Sequence, residues 1–211
     1  MVRRGAVTTA TQRNYRDHAA SLKRALLAEK RKFGGFDDGD GNRYVIGPLY
    51  VLAGALDEAV AYYKWFERNF ADDTGDPLLY VYWSLALYRS GAGERANSKL
   101  LETMLQNVYL LPDLVGLPSV AHDVWHGSNL EMPDYPTRIS PEFRPVLSEQ
   151  ERVWITAQLE SARFRRVLTE YVSAFHALKG ERDVRKRQRI LRQWDTVWKA
   201  ELEGSRTARG K

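Results

Sequence analysis

Gly54-Ala55-Leu56-Asp57-Glu58-Ala59-Val60-Ala61-Tyr62-Tyr63 decides the fold, because its pattern occurs twice. Ala59 follows Gly54 by five residues, Ala96 follows Gly91 by the same five, and the copies are offset by 37. An apolar segment precedes each glycine: Leu49, Tyr50 and Leu52 in one copy, Leu85, Leu87 and Tyr88 in the other. An amphipathic segment follows each: Val60, Tyr63 and Phe66, then Leu100, Leu101 and Leu105. The pattern is a helix, a tight turn and a second helix. Glycine permits the turn because it lacks a Cβ, and a small alanine five residues on lets the second helix approach the first. Periods of this length belong to helix-pair solenoids. The expected fold class is all-α: stacked antiparallel helix pairs, with two pairs over residues 43–106.

The stretch Gly54 to Tyr63 resembles the turn and second helix of a tetratricopeptide repeat, and Gly91 to Leu101 is similar. The whole chain also resembles uncharacterised bacterial proteins of tetratricopeptide-like type, through Arg43-Tyr44, Ala71-Asp72-Asp73-Thr74-Gly75-Asp76-Pro77 and Trp125-His126-Gly127-Ser128-Asn129. The offset of 37 departs from that family's period of about 34. Pro48 lies early in the first copy, and the family's tryptophan is missing there. The resemblance implies a module that binds peptides or proteins.

Outward from the repeats, Tyr15, Ala19, Leu22 and Leu26 recur at helical spacing and predict an N-terminal helix over 9–32. The segment 107–147 holds six of the eight prolines and is expected to be irregular, with short helical pieces such as Ser119 to Trp125. Its apolar residues, among them Val108, Leu111, Val120 and Trp125, indicate that it packs. Ser148 and Glu151 have capping-box spacing and open the C-terminal helices, 148–203. A break near Ser161 would make 148–179 a third pair; without one it is a single helix. Ile190, Leu191, Trp194, Val197 and Trp198 give the last helix, Arg182 to Glu203, one apolar face. Residues 204–211 are expected to form a flexible tail, and 1–211 to form one helical domain.

The chain carries 32 basic and 27 acidic residues, a formal net charge of +5 that conceals a pattern. Residues 1–32 hold nine basic groups against two acidic ones, residues 33–179 hold 13 against 20, and residues 180–211 hold ten against five. Two basic ends bracket an acidic middle, an arrangement compatible with docking of the ends, with a homodimer or with nucleic acid. With no cysteine, disulfides, thiolate metal sites and a cysteine nucleophile are excluded. Met1 to Ala10 has no apolar core behind Arg3 and Arg4, so no secretory signal is expected. The most apolar stretch, Tyr44 to Val60, is interrupted by Gly47, Pro48, Gly54, Asp57 and Glu58. A cytoplasmic protein without a membrane partner is therefore expected.

Three clusters bear on chemistry. Asp38, Asp40 and Asn42 match positions 1, 3 and 5 of a calcium loop, but Arg43 stands where the turn needs glycine and Leu49 where the bidentate glutamate belongs. An acidic turn that pairs with Arg43 or caps the next helix fits better. His122 and His126 stand four apart, as a helical metal pair would, yet no third histidine is near and Pro118 and Gly127 leave little room for a helix. The expected cofactor set is none. The basic run Arg182, Arg185, Lys186, Arg187, Arg189 and Arg192 can meet phosphates but carries no base-reading motif.

The leading expectation is a noncatalytic interaction module binding a protein or peptide in a groove lined by Tyr50, Tyr62, Tyr63, Trp65, Tyr80, Trp83 and Tyr88. The alternatives are a nucleic-acid-associated protein using its basic terminal helices, and a metal-dependent hydrolase centred on His122 and His126.

Overall fold

The computed structural model describes residues 9–118 and 120–207, with side chains to Glu201. Among these residues all regular structure is helical. In chain order the helices are α1 (Thr9–Phe33), α2 (Asn42–Leu52), α3 (Leu56–Asn69), α4 (Pro77–Arg89), α5 (Gly93–Gln106), α6 (Leu110–Val115), α7 (Tyr135–Arg138), α8 (Glu149–Glu160), α9 (Ala162–Lys179) and α10 (Val184–Thr207). No described helix is long and apolar enough to cross a membrane.

The two glycines of the repeated pattern do the same thing. Gly54 and Gly91 have φ of 71° and 77°, the left-handed region where a Cβ is penalised. The amides of Gly54 and Ala55 donate to Val51 O and Tyr50 O; those of Gly91 and Ala92 donate to Tyr88 O and Leu87 O. Both are Schellman turns, in which the amides past the helix end satisfy its last carbonyls. Ala59 and Ala96 are fully buried.

The chain divides into two compact units, Met1–Ala92 and Gly93–Lys211. In the first, α2 packs against α1, α3 and α4. The α4 sequence is apolar all round, and its residues from Leu79 to Leu87 are buried, as such a helix must be. Gly47 of α2 lies against the ring of Tyr63, where an added Cβ would come within 2.6 Å. Asp76 caps α4 through its carboxylate, accepting from the Leu78 amide at 2.8 Å, with Pro77 at the first helical position.

In the second unit the irregular segment is anchored by Asn107, which is fully buried. Its Nδ2 donates to the carbonyls of Leu130 (2.7 Å) and Met132 (3.1 Å), and its Oδ1 accepts from the Tyr109 amide. The short helices α6 and α7 and a 3-10 turn at Asn129–Glu131 lie in this segment. Residues 120–125, expected to be helical, are not; Ser119 lies outside the described residues. The Ser148–Glu151 capping box forms as its spacing predicts. The break at Ser161 is real: its backbone is extended, and its hydroxyl accepts from the Phe164 amide to start α9.

The last helix differs from expectation at both ends. It starts at Val184 rather than Arg182, because Asp183 caps it, accepting from the Lys186 amide at 2.9 Å. It continues through Thr207, so 204–207 of the expected tail is helical, and 208–211 lies outside the described residues.

Candidate functional site

The aromatic groove is the main correction. Tyr62, Tyr63 and Trp83 are at most 3% exposed, and Tyr50 and Tyr80 are also buried. Only Trp65 and Tyr88 are half-exposed. Tyr63 stacks on Trp83 at 5.0 Å with rings 8° from parallel, and Tyr62 meets Trp65 at 5.4 Å. These residues form a core. Tyr62 also donates its hydroxyl to Arg43 O, beside the helical turn that Pro48 deprives of an N–H.

The acidic turn is consumed by Arg43. The Asp38 carboxylate accepts from the amides of Asn42 and Arg43 at 2.8 and 2.9 Å and from the Arg43 guanidinium at 3.0 Å. Arg43 Nε donates to Asp73 at 2.7 Å, and Tyr44 donates its hydroxyl to the same carboxylate at 2.8 Å. Burial, with the carboxylate beside it, pushes the Tyr44 phenol up to about 12. Burial alone would raise the Asp73 carboxyl, but hydrogen bonds from the Gly75 amide, Tyr44 and Arg43 overcome it and hold the group below its usual range. The network ties the 38–42 turn, α2 and the loop before α4 together, and it engages the Asp38 carboxylate with Arg43 and two backbone amides.

His122 and His126 do not share a helix. Both rings lie beside Tyr109, at 5.8 and 6.2 Å between centroids. Burial holds His122 below its ordinary pKa. His126 Nδ1 is buried without a hydrogen-bond partner. Among the described residues no three His, Asp or Glu side chains gather as a metal set.

The aromatic residues next to these histidines seat α10. Tyr171 and Phe175 of α9 stack at 4.2 Å, and Trp194 of α10 meets them edge-on at 5.5 and 6.2 Å. Trp125 also stacks on Phe175, at 6.3 Å, and its amide donates to Phe175 O. Arg187 covers Trp125, 4.9 Å from the ring centroid, and donates to the carbonyls of Leu178 (2.7 Å) and Glu181 (3.1 Å). At the other end of the helix, Glu201 pairs with Arg163 (3.2 Å) and Arg166 of α9. The apolar side of α10 is thus fixed at both ends.

This seating determines what the opposite side presents. Ile190, Trp194, Val197 and Trp198 are half-buried; Arg185, Arg189 and Arg192, at i, i+4 and i+7, are exposed. No described residue pairs with those three arginines. Arg182 is exposed just before the helix, and Lys186 makes only a loose 3.8 Å pair with Glu181. Lys199 extends the stripe and pairs with Asp195 at 3.7 Å. The sequence marked this basic run but gave no sign that Arg187 is structural. Comparison of the chain with protein-family models, curated proteins and solved structures finds no match.

Proposed function

We propose that the protein is a noncatalytic interaction module of the tetratricopeptide-like, stacked helix-pair type, which holds an anionic partner against the exposed face of α10. The observation that carries this reading is the stripe Arg185, Arg189 and Arg192, whose guanidinium groups are exposed and pair with no described residue, on a helix whose other side is anchored. A fixed array of arginines is suited to oxyanions, because each planar fork offers paired donors. The twin glycine turns support the helix-repeat part of the reading, and a cytoplasmic location belongs to it. The buried aromatic cluster supplies rigidity rather than a groove.

Retention on immobilised heparin tests the proposal. The wild-type protein is expected to bind at low salt, and R185A/R189A/R192A to elute in the flow-through with unchanged helical circular dichroism. Equal retention of the two proteins, or no retention of either, overturns it.

A further inference from the structure

Resting on that reading, we infer that the anionic partner is a double-stranded nucleic acid, held by its phosphate backbone along α10 without regard to sequence. Four features of the face select this partner. First, its unpaired cations are arginines, spread over about 10 Å of helix from Arg185 to Arg192. A duplex offers a preordered charge every ~1.7 Å of axis, so such a row meets phosphates without ordering a flexible partner. Second, exposed neutral polar residues flank the arginines, among them Gln188, Gln193 and Thr196, and such side chains suit phosphate and sugar oxygens.

Third, both tryptophans of α10, Trp194 and Trp198, lie on the seated side. The arginine face therefore has no aromatic platform for unpaired bases, which single-strand binders use. It also lacks an aromatic anchor of the kind that dominates protein interfaces. Fourth, the apolar side is occupied by Tyr171 and Phe175, so α10 cannot lay that side into a bilayer surface. The face has no base-reading element, and the contact is purely electrostatic.

The test is fluorescence anisotropy with the full chain and four probes: a DNA duplex of about 20 base pairs, the same duplex as RNA, one of its single strands, and polyglutamate. The duplexes are expected to bind best, with a scrambled DNA sequence binding equally well. For three phosphate contacts the plot of log K against log salt should fall with a slope of about −3. Each of R185A, R189A and R192A should flatten that slope by about 1, uniformly across sequences. The two duplex arms distinguish DNA from RNA as the source of the shared backbone chemistry. Single strand or polyglutamate binding as tightly as either duplex overturns the duplex assignment while the anionic-partner reading stands. Failure of every probe at the lowest salt overturns both. Duplex binding with an unchanged slope in all three variants places the site elsewhere and overturns the assignment to α10.

Discussion

Arg43 and Arg189 are the same side chain in opposite circumstances. The Arg43 guanidinium lies between two carboxylates, Asp38 and Asp73, over the ring of Tyr44 at 4.4 Å. Arg189 points outward from a seated helix, and no described residue pairs with it. One arginine holds a turn and two helices in place; the other contributes nothing to the fold and is available to a partner. Arg187 falls between them, its charge resting on Trp125 and on the carbonyls of Leu178, in the last turn of α9, and of Glu181, just past it. A basic residue reveals a binding surface only when its local partners are accounted for.

This gradation can be broken by substitution. Arg43→Ala removes the one cation shared by the Asp38 carboxylate, whose side chain is 1% exposed, and Asp73, leaving them only neutral donors. It should cost about 3 kcal/mol in chemical denaturation, the scale for orphaning a largely buried ion pair. Gly47→Ala comes next. Alanine favours a helix, but here its Cβ meets the Tyr63 ring, which the stacked Trp83 leaves no room to move. Overpacking should win, with a net loss of about 1–2 kcal/mol read as a lowered unfolding midpoint.

Arg187→Ala removes a cation–π contact and two hydrogen bonds at a partly exposed site, and should cost about 1 kcal/mol. The acid limb gives a further, smaller effect. Because the folded-state pKa of Asp73 is depressed, the stability it contributes is complete above the ordinary aspartate value of 3.8 and is lost as pH falls below it. Asp73→Asn should therefore flatten the dependence of unfolding on pH in that window. Smallest of all, Arg185→Ala, Arg189→Ala and Arg192→Ala should each change stability by no more than about 0.5 kcal/mol.

The legible parts of the fold are those set by local chemistry. Gly54 and Gly91 announce their turns through spacing alone, Ser148 and Glu151 their capping box, and Asp76-Pro77 the start of α4. Asp38 and Arg43, five residues apart, are readable as a pair, but Asp73 enters only through tertiary contact. The aromatic cluster is ambiguous between core and groove in the sequence because periodicity shows that Tyr63 and Phe66 share a face without showing what covers it; α4, buried from Leu79 to Leu87, belongs to the same core. Ser161 gave a weak signal because the residue three positions on is Phe164, not the glutamate or glutamine of a capping box. The basic stripe was visible, yet nothing local separates Arg187 from Arg185. That distinction comes from Trp125, 62 positions earlier in the chain.

The most direct measurement pairs two variants in two assays. Arg43→Ala and R185A/R189A/R192A are compared with wild type by thermal unfolding and, well below the lowest transition, by retention on heparin. The account predicts a double dissociation: the first variant loses thermal stability and keeps retention, and the second keeps thermal stability and loses retention. A triple variant that unfolds early, or an Arg43 variant that unfolds like wild type, would contradict the division between the arginine that builds the fold and those it leaves free.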